Sequence, residues 1–176
     1  MRSDFVAAHV RFAVPADVGE IVQLLREVFS ETYGHVIPDD ALNRYVDKAF
    51  EARAIAVSSN TFVLAQVDGV LVGVSELATT SPPECVEPRS AIEVARFYIR
   101  AEYRGSDVAD ALLHKCERHA RSTGHTAVWL CVWEHNPRAI AFYRRHGFVS
   151  VGNVDIVVEG VVFHDVVMVK KVTSNE

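Results

Sequence analysis

The sequence predicts an α/β protein in which six to seven strands form a sheet flanked by about four helices. Runs rich in β-branched and aromatic residues, bounded by turn residues, recur along the chain and are typical of strands. Other segments carry apolar residues at helical spacing. In Ser90–Leu113 a strand, a tight turn and the start of a helix follow one another, and a buried strand comes next, which is typical of α/β sheets.

Length and composition favour one domain. The chain has 176 residues, of which 49% are hydrophobic, and this is enough for one substantial core. We therefore expect residues 1–176 to form a single domain. The formal net charge of −5 argues against a nucleic-acid or membrane-surface partner, because such partners bind to basic faces. A cationic substrate suits this charge better.

Cysteine and histidine usage predicts no metal site. The chain has three cysteines, Cys85, Cys116 and Cys131. Because they are odd in number, widely spaced and without a Cys-x-x-Cys pair, they favour neither a disulfide framework nor a structural zinc site. His114 and His119 are five residues apart along a predicted helix, a rotation of about 140°, so they do not share a face. We therefore expect no metal cofactor.

The ends and apolar runs of the chain predict a cytoplasmic protein. Residues 1–8 lack the long apolar region of a signal peptide. No apolar run reaches the length needed to cross a membrane. We therefore expect no membrane partner.

The N-terminal half predicts a strand, two helices and a hairpin. Val10–Val14 alternates apolar side chains with others and stops at Pro15. Two segments with apolar residues at helical spacing follow, first Ile21–Phe29 and then a helix that begins at Pro38. Thr61–Leu77 then contains two apolar runs around Asp68-Gly69, a strong signal for a two-residue hairpin turn.

The middle of the chain predicts a strand–helix–strand unit after an exposed loop. The loop is Thr79–Arg89, which contains three prolines. Ile92–Ile99 reads as a strand, a helix begins near Asp107, and Thr126–Val132 reads as a buried strand parallel to the first. The helix start directs unpaired N–H groups toward the carboxyl edge of the sheet, which is the geometry of a phosphate site.

The C-terminal part predicts a short helix and a closing hairpin. Asn136 suits the N-cap, Pro137 the first helical position, and Gly147 the position after the helix. The runs Val149–Val158 and Val161–Lys170 then predict two strands joined by a tight turn.

Two motifs resemble those of the GNAT N-acetyltransferase superfamily. Asn136–Phe148 is similar to the second motif and matches each defined position: Asn136, Ala139, Phe142, Tyr143, Gly147 and Phe148. Arg104–Ala109 is similar to the acyl-CoA-binding motif, with Asp107 where the pattern has glycine. The similarity extends from Arg11 to Lys170 and includes the order of the elements.

This resemblance implies a mixed, mostly antiparallel, splayed sheet that admits the pantetheine arm of acetyl-CoA, with acetyl-CoA as co-substrate. Its strands part near Ile99 and Val132. The backbone of Phe97 and Ile99 pairs with the arm, Asn136 bonds the cofactor, and Tyr143 faces the thioester sulfur. The pyrophosphate is held by the turn formed by Arg104, Gly105, Ser106, Asp107, Val108 and Ala109. We expect the Asp107 side chain to turn outward while neighbouring amides bind the phosphates.

Acetyl transfer to an amine requires a neutral nitrogen, a donor for the developing oxyanion and an acid for the departing thiolate. Tyr143 is the candidate acid, because a phenol with a pKa of about 10 keeps its proton at neutral pH. An alkylamine with a pKa of about 10.4 must lose a proton to a base. Glu93 is the candidate base, because it matches the strand glutamate of histone-acetylating relatives. The alternative is that Glu93 faces solvent or pairs with Arg96 or Arg100.

Two functions of different classes stay open from the sequence. The first is an N-acetyltransferase that acts on a primary amine of a small molecule or a peptide. Tyr33-Gly34-His35, before the helix start at Pro38, resembles bacterial polyamine acetyltransferases and makes a polyamine-like acceptor one candidate. The second is a non-catalytic acyl-CoA-binding or regulatory domain, for which Asp107 is the main argument. Homodimerisation through the C-terminal strands is compatible with both.

Overall fold

The computed structural model describes residues 7–56 and 58–172. The expectation that residues 1–8 contain no signal peptide falls mostly on residues 1–6, which lie outside the described residues. The strands are β1 (His9–Phe12), β2 (Thr61–Val67), β3 (Val70–Ala78), β4 (Ala91–Ile99), β5 (Ala127–Trp133), β6 (Val149–Val158) and β7 (Val161–Lys171). The helices are α1 (Val18–Tyr33), α2 (Asp39–Ala49), α3 (Ala52–Ala56), α4 (Asp107–Ser122) and α5 (Pro137–Arg145). No helix in the described ranges is long and apolar enough to cross a bilayer.

The predicted fold class is confirmed. The seven strands follow the order β1-β2-β3-β4-β5-β7-β6 in one mixed sheet. β1 with β2, β2 with β3, β5 with β7 and β6 with β7 are antiparallel, whereas β4 and β5 are parallel. The four helices α1, α2, α4 and α5 correspond to predicted ones, and α3 is a five-residue helix that the sequence did not predict.

The chain divides into two compact units. The N-terminal unit comprises Met1–Leu77 and Arg96–Cys116, and the C-terminal unit comprises Ala78–Ala95 and Glu117–Glu176. Strand β4 and helix α4 therefore contribute residues to both units.

In the N-terminal unit, ion pairs hold an arginine on β1 and another on β4. Arg11 on β1 forms two parallel hydrogen bonds to the Asp17 carboxylate, at 2.7 and 2.8 Å, and this pairing lowers the pKa of Asp17 to about 2. Glu76 on β3 is buried, forms an ion pair with Arg96 and accepts a hydrogen bond of 2.6 Å from Asn60. Because pairing with a cation offsets the desolvation of a buried carboxylate, this network anchors Arg96 on β4.

In the C-terminal unit, the parallel ladder of β4 and β5 joins Ala91–Glu93 to Ala127–Trp129. β5 then pairs with β7 over the whole of Ala127–Trp133. β6 and β7 form the predicted closing hairpin. The unit thus presents β4, β5, β7 and β6 side by side, with side chains alternating between two faces.

An apolar cluster on one face of these strands shows that the loop before β4 is exposed only in part. Val86, in the loop predicted to be exposed, is fully buried against this cluster. Its buried partners are Ala91, Ala127, Trp129, Val167 and Val169. The prediction was wrong at Val86 because an apolar side chain in the loop covers apolar strand surface that would otherwise contact water.

Candidate functional site

The turn between β4 and α4 places backbone amides at the start of a long helix. Ala101–Tyr103 form one 3-10 turn, and Gly105 follows with φ of +82°, a conformation that favours glycine. The Ser106 hydroxyl donates to the Tyr103 carbonyl at 2.6 Å and lies 3.4 Å from the Val108 amide nitrogen. The first amides of a helix have no carbonyl partner within the helix, so this start suits an anion.

Arg104 is held within the N-terminal unit by two groups. Its Nε donates to the Ile99 carbonyl at 3.2 Å, and its Nη2 lies 3.3 Å from the Glu31 carboxylate on α1. Four residues earlier, Arg100 forms a similar ion pair with Glu27. A phosphate bound at this turn would share the Arg104 guanidinium with the Glu31 carboxylate.

Asp107 is the first residue of α4 and is exposed. Its backbone is helical, so no positive φ requires glycine at this position. A carboxylate in the first turn is favoured by the partial positive charge of the helix start. The departure from glycine therefore suits the helix itself, and any penalty for a bound phosphate is electrostatic.

The backbone predicted to pair with the cofactor lies in the second half of β4. Phe97 is half-buried and Ile99 is buried. The ladder between β4 and β5 covers Ala91–Glu93 of β4, so neither residue belongs to it. The Ile99 carbonyl already accepts the hydrogen bond from Arg104.

In the C-terminal unit, helix α5 begins at the predicted cap. The Asn136 Oδ1 accepts a hydrogen bond of 3.2 Å from the Ala139 amide, and its carbonyl accepts one from Ile140. Pro137 occupies the first helical position, where the missing N–H costs nothing. The structure therefore shows Asn136 as a helix cap.

The end of α5 fixes Tyr143, which is buried. Its carbonyl accepts hydrogen bonds of 3.0 Å from the amides of His146 and Phe148, and Gly147 has φ of +86°. This pattern is that of a helix C-cap in which glycine adopts the left-handed conformation. The Phe148 ring also packs edge-on against the Tyr143 ring, at 5.5 Å between centroids. The spacing between Asn136 and Gly147 thus sets both ends of the helix that carries Tyr143.

Glu93 lies at the end of the β4–β5 ladder, paired in register with Trp129. Its Oε2 accepts a hydrogen bond of 2.6 Å from the Thr80 hydroxyl in the loop before β4. Arg96 and Arg100, the cations considered as alternatives for Glu93, are engaged with other carboxylates. Glu93 is therefore a half-buried carboxylate held by a hydroxyl.

Sequence reasoning missed a second carboxyl on the same unit. Asp165 lies on β7, is only 9% exposed, and burial raises its pKa to about 6. Burial also raises the pKa of the Cys131 thiol on β5 to about 12, and the charges of Asp165 and Glu93 add to this effect. The sequence signal that could have identified it is that Asp165 is the single acidic residue in the apolar run Val161–Lys170.

The predicted site residues therefore fall into two groups, each within one unit. Arg104–Ala109 form one turn of the N-terminal unit, which also contains Phe97 and Ile99. The C-terminal unit contains Glu93 on β4 and the residues Asn136 and Tyr143 on α5.

Comparison with solved structures shows where this fold occurs. The PaiA N-acetyltransferase of Thermoplasma acidophilum, solved with coenzyme A, is 20% identical with a TM-score of 0.73, over 94% of this chain and 99% of that one. YncA of Salmonella typhimurium, a putative acetyltransferase solved with acetyl-CoA, is 18% identical with a TM-score of 0.68, over 97% and 96%. These likenesses show a shared fold.

Comparison with protein sequences identifies the family. An uncharacterized N-acetyltransferase encoded in the pepI 3′ region of Lactobacillus delbrueckii subsp. lactis is 27% identical in an alignment of 136 residues that covers 74% of this chain and 78% of that protein. The model of the acetyltransferase (GNAT) family matches residues 20–148, which include both motifs. The chain therefore belongs to the acetyltransferase (GNAT) family and is an acyltransferase.

Proposed function

We propose that this protein is an N-acetyltransferase that transfers the acetyl group of acetyl-CoA to a primary amine. The acceptor is a small molecule, with polyamine-like amines among the candidates, or a peptide. The amine attacks the thioester directly, so no covalent enzyme intermediate forms. The observation that carries this proposal is Tyr143, a buried tyrosine anchored by the C-terminal motif of α5.

The residues of the N-terminal unit fit the diphosphate of coenzyme A. The start of α4 offers backbone amides and a favourable dipole, and Gly105 allows the chain to turn without a side chain there. Arg104 adds a cation to the same turn. We propose that Arg104–Ala109 bind the diphosphate and that the backbone of Phe97 and Ile99 holds the pantetheine arm. Family membership and the coenzyme A bound to PaiA support this assignment.

The C-terminal unit supplies the groups for proton transfer. Acetyl-CoA brings the thioester whose C–S bond breaks as the amine nitrogen forms a C–N bond with the carbonyl carbon. Glu93 takes the proton that the ammonium group must lose, directly or through water. Tyr143 keeps a proton on Oη and gives it to the departing sulfur, and the second proton that the nitrogen loses as the amide forms restores the phenol. Asn136 holds the start of α5 and is proposed to hydrogen-bond the cofactor.

The experiment that tests this function follows the release of the coenzyme A thiol from acetyl-CoA with polyamines, aminoglycosides, amino acids and peptides. An N-acetyltransferase releases thiol only when an acceptor amine is present, and mass spectrometry finds the acetylated amine. Binding of acetyl-CoA without any amine-dependent release would instead indicate a non-catalytic acyl-CoA-binding domain.

Asp107 predicts a specific effect on cofactor affinity. A carboxylate about 4 Å from a phosphate costs roughly 1 kcal/mol when water screens the pair, and Asp107 is exposed. We expect Asp107→Gly and Asp107→Asn to lower the dissociation constant of acetyl-CoA by about fivefold at low salt, and by less at high salt. Isothermal titration calorimetry measures this change.

The control for this test is Asp39→Asn, which removes a carboxylate from the first position of α2. This variant should leave the affinity for acetyl-CoA unchanged. An unchanged dissociation constant in both Asp107 variants would show that this carboxylate carries no electrostatic cost.

We further propose that residues 1–176 act as one catalytic domain in the cytoplasm. β4 and α4 each contribute to both units, which supports folding as one domain. Cys85, Cys116 and Cys131 form no disulfide bond, which suits a reducing compartment. We also propose that two copies associate through the C-terminal strands, and sedimentation equilibrium measures whether a dimer forms.

A further inference from the structure

We propose that Asp165 is a substrate-specificity residue whose carboxylate binds a second, non-reacting ammonium group of the acceptor, so that the preferred acceptor is a diamine or polyamine. This inference rests on the proposed N-acetyltransferase function. It assigns separate tasks to the two carboxylates of the C-terminal unit, Glu93 and Asp165.

Strand register places both carboxylates on one face of the sheet. Glu93 pairs with Trp129 on β5, and Trp133, four residues further along β5, pairs with Asp165 on β7. Residues paired in register point to the same face, and so do residues two apart along a strand. Glu93, Cys131 and Asp165 therefore follow one another diagonally across three neighbouring strands. Two strand spacings and four residues separate the Cα atoms of Glu93 and Asp165 by roughly 16 Å.

Asp165 is a buried carboxyl without a partner among the described residues. The residue as a whole is more than nine-tenths buried, but its carboxylate oxygens still reach the surface, and no side chain described in the structure forms a hydrogen bond or ion pair with them. A buried carboxylate usually pairs with a cation or a hydrogen-bond donor, because desolvation of the charge is unfavourable. Lys171 shares its strand face, but six residues of β7 place it roughly 20 Å away.

A second polar group on this face also lacks a partner. Trp129, next to Glu93 in the ladder, is 5% exposed, and its Nε1 has no hydrogen-bond partner among the described residues. Trp129 also belongs to the apolar cluster that Val86 covers, so this face combines packed apolar side chains with an unpaired donor and with a carboxyl that no described side chain pairs.

Burial is the cause that raises the pKa of Asp165, and the adjacent His164 lies on the opposite face of β7 and pairs with Asp155. Cys131 on β5 keeps its proton at neutral pH, because burial raises its pKa to about 12. Glu93 on β4 and Cys85 in the preceding loop contribute in the same direction to that thiol, so the surroundings are neutral or negative. A cation bound beside Asp165 therefore comes from the ligand.

The chemistry of amine acetylation decides which nitrogen Asp165 binds. A carboxylate stabilises the protonated form of a nearby amine, and a protonated nitrogen is not a nucleophile. An acidic residue that only binds ammonium would thus hinder the reacting nitrogen and help a second one. Glu93 removes the proton from the reacting nitrogen, and Asp165 holds the other ammonium.

The test compares Asp165→Asn with the wild type on two acceptors, 1,8-diaminooctane and octylamine, with acetyl-CoA at saturation. We expect the KM for the diamine to rise roughly 10- to 100-fold, the size of a lost charge-assisted hydrogen bond, with kcat changed less than about threefold. The KM for the monoamine should stay the same. Asp155→Asn is the control, because Asp155 is exposed on β6 and pairs with His164.

Thermal melting distinguishes this role from a structural one. Because burial raises the pKa of Asp165 to about 6, the folded state favours the protonated carboxyl, and stability falls as pH rises through this value. Asp165→Asn should therefore melt higher than the wild type at pH 8, and the difference should shrink at pH 5. Asp165→Ser, made in parallel, should show the same change in the diamine KM.

The outcomes separate this inference from the proposed function. A wild type that acetylates amines, together with an unchanged diamine KM in both Asp165 variants, would overturn the role of Asp165 and leave the acetyltransferase activity intact. A wild type that binds acetyl-CoA but acetylates no amine would overturn the proposed function, and this inference with it.

Discussion

Tyr143→Phe is expected to lower kcat roughly 10²- to 10⁴-fold, the usual size of a general-acid contribution, while the fold remains intact. The substitution removes one hydroxyl group and keeps the ring that packs against Phe142 and Phe148. The C-cap of α5 depends on backbone hydrogen bonds and on Gly147, which the change does not affect. Steady-state kinetics and the binding of acetyl-CoA separate the chemical step from cofactor affinity.

The matched control is Tyr45→Phe, which removes a phenol hydroxyl from the aromatic cluster of α1 and α2. Tyr45 stacks on Phe29 at 4.8 Å, and burial raises its pKa, as expected for a packed aromatic residue. Its loss should leave kcat unchanged. Equal turnover in wild type and Tyr143→Phe would remove the phenol from the mechanism and leave it a packing role.

Glu93→Gln is the second large expected effect, a decrease of roughly 10²- to 10⁴-fold in kcat/KM near neutral pH. A general base must be ionised to accept a proton, so the wild-type kcat/KM should fall on the acid side of its pH profile. Glutamine cannot titrate, and the variant should lose this acid limb. Glutamine still accepts a hydrogen bond from Thr80, so the local contact persists.

Glu84→Gln provides the control, because Glu84 is an exposed acid in the loop before β4. This variant changes the charge of the region by the same amount and should keep the wild-type profile. If Glu93→Gln shows an unaltered pH profile, Glu93 is a residue that holds the loop through Thr80.

Elements bounded by strong local signals were predictable from sequence. Both ends of helix α5 were predictable, because the Asn136 N-cap and the left-handed Gly147 after the helix depend on short-range hydrogen bonds. The hairpin around Asp68-Gly69 depends on the same kind of local chemistry. The turn between β4 and α4 was predictable as a strand–helix junction for the same reason.

Features that depend on tertiary contacts were not predictable. Val86 lies in a proline-rich loop and is buried, because strands distant in sequence provide the surface that it covers. Arg104 pairs with Glu31, which lies 73 residues away in the chain. The burial of Asp165 depends on the pairing of β7 with two strands, which residue composition does not reveal.

The amides between Tyr103 and Val108 are proposed to bind the diphosphate of coenzyme A, and the other site assignments depend on this contact. The most direct measurement is a crystal structure of the protein grown with acetyl-CoA. We expect the diphosphate at the start of α4 and the thioester sulfur beside the Tyr143 hydroxyl. A cofactor bound at another place, or a turn closed by the Asp107 carboxylate with no cofactor bound, would contradict the account.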